Sequence, residues 1–236
     1  ARMYQTTLRY VFAMALWRLD PKKKIKFNYS ISRTILAVID DKPLSPHFLD
    51  KLLKEVDRII RADYPIIRHT ITKDEAVSVY QSYGLEDKME TLEYREENDV
   101  NIYAIDNYKN YMFGYMLSST GQLSVYKAFL YHPGFLIQYP RAELGGIIPE
   151  FIDQPTFGKT LKEAAKWGDV IGGDTIANIN KFARSRDAMV DLVNLSETRH
   201  NNQLTHLGDM VALNIEDIKL IAVAGPSSSG KTTFTN

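Results

Sequence analysis

The chain has 236 residues, 44% of them hydrophobic and 25% charged, which is enough apolar material for one large or two modest domains. Lysine plus arginine equal aspartate plus glutamate at 29 each, so no global basic field argues for nucleic acid or an anionic membrane. The lack of cysteine excludes disulfides, thiolate nucleophiles and Cys-ligated zinc, and no apolar run approaches the ~18 residues of a membrane span; a cytoplasmic protein is expected.

Residues 3–19 place Leu8, Val11, Phe12, Ala15, Leu16 and Leu19 at helical spacing, and Asp20-Pro21 closes that helix. Residues 25–29 and 34–40, rich in β-branched and aromatic side chains, are predicted as short strands. Ser45 is suited to cap a helix N-terminus and Pro46 to occupy its first position. The stripe Leu49, Leu52, Leu53, Val56, Ile59 and Ile60 continues this helix until Tyr64-Pro65. Residues 66–71 alternate as a strand, and Thr72 with Glu75 forms a capping box for a helix stopped by Gly84. From 100 to 139 the texture is strand-like and crowded with tyrosine and phenylalanine. Such rings are expected to fill a sheet core rather than to stack on bases. Residues 140–155, with Gly145-Gly146 and three prolines, predict a connection. Thr160 and Glu163 suggest a second capping box for a helix ended by Gly168, and a long helix is predicted over 186–213.

Residues 219–224 form a short apolar run of the kind that makes a buried parallel strand. Behind it, Gly225-Pro226-Ser227-Ser228-Ser229-Gly230-Lys231-Thr232 fits the phosphate-binding pattern G-x-x-x-x-G-K-[ST], with Thr233 next in line. Several backbone N–H groups must meet a phosphate at once, and only a glycine-rich turn wraps that closely. Lys231 would set its charge against the β- and γ-phosphates of ATP, the Thr232 hydroxyl would ligate Mg²⁺, and a helix starting near Gly230 would add unpaired N–H groups.

Residues 1–140 resemble the second N-terminal domain of threonyl-tRNA synthetases, an α+β module. The resemblance rests on Arg18-Leu19-Asp20-Pro21, Ala62-Asp63-Tyr64-Pro65-Ile66, Thr72-Lys73-Asp74-Glu75-Ala76 and Ser119-Thr120-Gly121 before Ala128-Phe129. With the helical connector that follows and the loop at 225–232, the layout resembles bacterial uridine kinase-like proteins, which join such a region to a P-loop kinase. This implies an α+β domain at 1–140, a helical connector at 141–216, and at 217–236 the incomplete start of a P-loop α/β kinase domain. The implied activity is transfer of the ATP γ-phosphoryl group to a nucleoside 5′-hydroxyl, with Lys231 as catalytic residue and ATP and Mg²⁺ as cofactors. The implied partner is a uridine- or cytidine-like nucleoside; nucleic acid is not favoured, and no oligomeric state follows. Because the Mg²⁺-holding acid, the substrate base and any lid arginine would lie beyond Asn236, the 236-residue chain is expected to be inactive by itself.

The synthetase-type domain edits with two histidines four apart on its first helix and a Cys-x-x-x-His. Thr6, Tyr10, Met112 and Met116 stand at those positions here. Thr and Tyr are poor ligands for divalent metals, Met is soft and uncharged, and no general base remains among the four, so the resemblance implies a retired editing pocket. The five histidines (47, 69, 132, 200 and 206) show no ligand-like spacing. Glu96-Glu97, Asp40-Asp41 and Lys22-Lys23-Lys24 are expected as solvated turn charge. Two other classes of function stay open: a non-catalytic RNA- or nucleoside-binding module, and another P-loop NTPase. An open pocket around Thr6, Tyr10, Met112 and Met116 would favour binding, and a plugged one a structural role.

Overall fold

The computed structural model describes residues 2–40 and 42–235; Ala1, Asp41 and Asn236 lie outside the described residues. The chain divides into two compact units, Ala1–Asn180 and Lys181–Asn236.

In the first unit, helix α1 (Arg2–Leu19) buries Leu8, Tyr10, Val11, Phe12, Met14, Ala15 and Leu16, a wider face than an amphipathic stripe would need. Two antiparallel sheets explain that width. Strands β1 (Ile25–Phe27) and β2 (Ile35–Ile39) join β7 (Gly134–Gln138) and β6 (Lys127–Tyr131) in the order β1-β2-β7-β6. Strands β3 (Ile67–Thr72), β4 (Asp99–Ile105) and β5 (Tyr108–Asn110) form the second sheet in that order. The main core joins α1 and helix α2 (Pro46–Arg61) to the inward side chains Ile35, Ala37, Ile39, Phe135 and Ile137 and to Tyr103, Ile105 and Tyr108 of the second sheet.

β2 and β7 are buried at every position, because their opposite face is covered too. There Leu36, Val38 and Leu136 pack beneath Phe151, which meets Phe129 edge-on at 5.1 Å. The predicted connection at 140–155 is therefore a strap across the sheet, held by Tyr131 Oη to Asp153 at 2.9 Å and by Gln138 Nε2 to the Pro149 carbonyl at 3.1 Å.

The capping signals act as expected. Ser45 Oγ accepts from the Phe48 N–H at 3.2 Å, and Thr72 and Glu75 exchange both capping-box hydrogen bonds at the start of helix α3 (Lys73–Ser82). Helix α4 (Glu86–Glu93) has no sequence counterpart: Leu85 precedes it and no side chain caps its start. Ala76, Tyr80 and Leu92 of α3 and α4 cover Val100 and Ile102 of β4 in a second small core. The helix predicted to start at Thr160 starts earlier. Helix α5 (Pro155–Val170) has proline in its first turn, and Thr160 lies inside it with its hydroxyl donating to the Thr156 carbonyl at 3.1 Å. Gly168 does not end it; the helix reaches Val170, and Gly172 at φ 66° makes the turn. A short helix α6 (Ile176–Ala183) follows.

The second unit holds helix α7 (Arg186–Leu213), as predicted, with Ser185 Oγ accepting from the Ala188 N–H at 3.3 Å. The strand expected at 219–224 does not form. Its backbone pairs with no strand among the described residues, and Leu220 and Ile221 are 86% and 57% exposed. An apolar run becomes a parallel strand only where neighbouring strands take its N–H and C=O groups. Helix α8 (Lys231–Thr235) closes the described chain.

Candidate nucleic-acid interface

Three of the four positions of the retired editing pocket, Tyr10, Met112 and Met116, are part of the packing. Tyr10 is completely buried; its hydroxyl donates to the Tyr103 carbonyl at 2.6 Å, with the Tyr108 carbonyl 3.3 Å away. Burial, reinforced by Tyr108, raises its pKa well above the ordinary phenol value. Met116 belongs to the main core, Met112 packs against it, and Thr6 is half-buried on α1. The neighbouring Thr7 hydroxyl accepts from the Leu117 N–H at 2.9 Å, which ties the 112–117 segment to the helix. The pocket is plugged, the outcome that favours a structural role for these positions, so any binding would have to use a surface beside it; among the described residues no cluster of His, Asp or Glu could hold a metal.

Beside this plug lies an open cleft of about 540 Å³. One wall is aromatic: Trp17, Tyr83 and Tyr108 pack on one another with ring centroids 5.3–5.5 Å apart, and Tyr108 meets Tyr10 edge-on at 5.3 Å. The two tyrosines are held by further hydrogen bonds. The Tyr83 hydroxyl donates to the Asn107 carbonyl at 3.2 Å and accepts from the Lys109 N–H at 3.1 Å, and Asn110 Nδ2 donates to the Tyr108 hydroxyl at 2.6 Å. Rings held this firmly lose little freedom when a flat ligand stacks on them.

The rest of the cleft is charged, with Lys23, Lys24, Lys26 and Lys88 against the carboxylates of Glu86 and Asp87. Lys24 Nζ bonds the Tyr83 carbonyl at the rim, and Lys23 pairs with Asp40 at 3.2 Å. The lysine run expected as a solvated turn thus contributes two of its members, Lys23 and Lys24, to the cleft. Lys88 matters most. Its ammonium donates to Asn110 Oδ1 and sits 5.9 Å from the centre of the Tyr80 ring, and burial lowers its pKa to about 8 despite the opposing charge of Asp87. Neither Lys88 nor the ring wall carried a sequence signal, because α4 lacks a cap and tyrosines in strands read as core. A lysine perturbed by burial, in a cleft and next to packed rings, makes this cleft the candidate ligand site of the first unit.

The loop at 225–232 is a separate feature of the second unit. It curls through Ser228 at φ 60° and Gly230 at φ 75°, and a Cβ on Gly225 would stand 2.8 Å from Ser229 Oγ. Lys231 Nζ donates to the carbonyls of Gly225 at 3.1 Å and Pro226 at 2.7 Å, while Ser227, Thr232 and Thr233 lie exposed.

No family model matches the chain. The chain is similar to the threonine–tRNA ligase of Symbiobacterium thermophilum, with 28% identity over 127 residues, covering 53% of this chain and 20% of that protein. It is likewise similar to threonine–tRNA ligase, chloroplastic/mitochondrial 2, of Arabidopsis thaliana, with 31% identity over 101 residues, covering 43% and 16%. The ligase of Syntrophomonas wolfei matches at 28% over 127 residues. The chain spans about a fifth of the length of the curated relatives it matches. This is partial homology to the N-terminal region of threonyl-tRNA synthetases, and the mixed α+β architecture with small antiparallel sheets agrees with it. It overturns the nucleoside kinase reading, because the relatives are tRNA ligases and nothing in the comparisons supports a uridine kinase or a P-loop kinase segment. The expected nucleoside partner, and the setting aside of nucleic acid, fall with it. Among the described residues no helix is long and apolar enough to cross a membrane.

Proposed function

We propose that the chain is a non-catalytic module that binds the single-stranded end of a tRNA-like RNA in the cleft beside α1. The cleft itself carries the reading: locked rings offer a stacking surface for a base, and lysines, Lys88 deepest among them, offer charge to its phosphate. The relatives' printed names supply the RNA class. The absence of a base or metal ligand at Thr6, Tyr10, Met112 and Met116 supports binding without hydrolysis.

Fluorescence anisotropy with a labelled four-nucleotide RNA should show binding that weakens with salt, at a log–log slope of about −1.4 to −2.1 for two or three phosphate contacts. A blunt RNA duplex, whose bases cannot leave the stack, should bind more weakly. Equal affinity for the two, or a salt-independent signal, would refute the reading.

Separately, the Gly225–Thr232 loop is proposed to cradle the phosphates of Mg²⁺-bound ATP, with no phosphoryl transfer implied. The supporting geometry is the glycine-enabled curl with the Lys231 ammonium at its mouth. Calorimetric titration should give a weak Mg²⁺-dependent isotherm that is lost in Lys231→Ala; an unchanged isotherm in that variant removes the loop from consideration.

A further inference from the structure

A second groove, of about 240 Å³, adjoins the cleft, and Tyr111, Met112 and Phe113 line both. Its floor comes from the second sheet, where Arg68 of β3 stands opposite Tyr103 of β4. Arg95, just past α4, contributes a second guanidinium, which donates to the Asp99 carbonyl at 2.9 Å and lies 3.6 Å from Glu97. Two rings project beside these groups largely into solvent: Phe113 is 83% exposed and Tyr115 is 68% exposed.

Large apolar rings are rarely left in water this completely, and these two share a groove with two arginines. The Arg68 guanidinium already lies 5.3 Å from the centre of the Tyr115 ring, so cation and ring form one surface. Glu97 offsets part of the positive charge at the far edge, leaving Arg68 as the cation nearest the rings. Rings alternating with guanidinium groups along a shallow track match a nucleic-acid strand, in which flat bases alternate with phosphates. A protein segment would need a carboxylate placed against Arg68, whereas a nucleic-acid strand carries an anion at every phosphate.

We propose that this groove is a second nucleotide subsite. The RNA strand whose end occupies the cleft crosses the ridge of Tyr111 and Phe113, stacks a following base on Phe113 and Tyr115, and sets a phosphate against Arg68. The inference rests on the RNA-binding reading of the cleft and deepens it: the ligand is an extended single strand of at least three nucleotides.

The test compares a labelled mononucleotide with single-stranded RNAs of two, four and six nucleotides. The proteins are the full chain, the double variant Phe113→Ala/Tyr115→Ala, the single variant Tyr115→Ala, and Arg68→Gln. All three side chains are exposed, so folding is not at risk. For the unaltered chain, affinity should rise about tenfold or more between the mononucleotide and the four-nucleotide RNA and then level off. The double variant should lose that gain, the single variant Tyr115→Ala, whose side chain does not line the cleft, should lose most of it while keeping its affinity for the mononucleotide, and Arg68→Gln should lose part of the gain together with some salt dependence. If the gain survives in the double variant while Lys88→Met still weakens binding, the groove is no part of the RNA path and the cleft reading stands alone. If no RNA of any length binds, the cleft reading and this one fail together.

Discussion

Lys88→Met is expected to stabilise the protein and, in the same variant, to weaken RNA binding. The ammonium sits in a setting that lowers its pKa from the ordinary 10.5 to about 8, so below pH 8 the folded protein carries a charge that burial disfavours. Between pH 8 and 10.5 the unfolded chain holds a proton that the folded chain has lost, so stability rises with pH across that window and is lowest below it. Methionine has similar length and no charge. Its introduction leaves Asn110 Oδ1 accepting from the Tyr111 N–H at 2.8 Å, so no buried acceptor is orphaned. The gain at pH 7 should be about 2 kcal/mol, less than the whole shift would supply, because part of the side chain keeps its contact with water. A denaturant titration checks it, and a loss of stability in the variant would contradict it.

Affinity should move the other way. A charged lysine on a phosphate contributes roughly 1.5–3 kcal/mol, so binding of a short RNA should fall about 10- to 100-fold in Lys88→Met. For the unaltered protein, affinity should decline as pH rises through 8 and the ammonium loses its proton, and binding near that pH should take protons up from buffer. Lys24, Glu86, Asp87 and Tyr83 also face the cleft, so the profile of the variant is the control that assigns the slope to Lys88. A profile that keeps its slope in the variant would assign the titration elsewhere.

Gly134→Ala should be the most damaging single methyl in the first unit. A Cβ at this position would stand 1.9 Å from the Ala37 carbonyl oxygen and 3.1 Å from the Val38 Cα, both backbone atoms of the adjoining strand β2. A side chain can rotate away from such a clash. Backbone inside a sheet buried on both faces cannot, and the pairing of Ala37 with Phe135 would have to open. The loss should be about 3 kcal/mol or more, lowering Tm by roughly 6–12 °C for a chain of this size. A calorimetric Tm within 2 °C of the parent would show that the strands yield more readily than this packing allows.

What the amino-acid sequence determined by itself was the set of features that act over four residues or fewer. Ser45, the Thr72–Glu75 pair and the spacing of Leu8 to Leu16 work through bonds and faces one helical turn apart, and each appears where its pattern placed it. The same range limit explains the misses. Thr160 and Glu163 have the spacing of a cap, yet Pro155 opens the helix a turn earlier and draws Thr160 into its interior. The run at 219–224 has the composition of a buried strand, but a strand is a property of a pair, and it has no partner among the described residues.

The cleft belongs wholly to tertiary structure. Trp17, Lys24, Tyr83, Lys88 and Tyr108 come from α1, the turn after it, the link between α3 and α4, α4 itself and β5, elements that meet only through the two cores. Tyrosine in a strand fits a core or a stacking wall equally well. Tyr103 and Tyr108 became core and wall, while Phe113 and Tyr115 were left in water, because backbone packing decides which rings find cover. Lysine is solvated by default in a linear reading, and only the packing of α4 against Asn110 and Tyr80 buried the ammonium of Lys88 and moved its pKa toward neutrality.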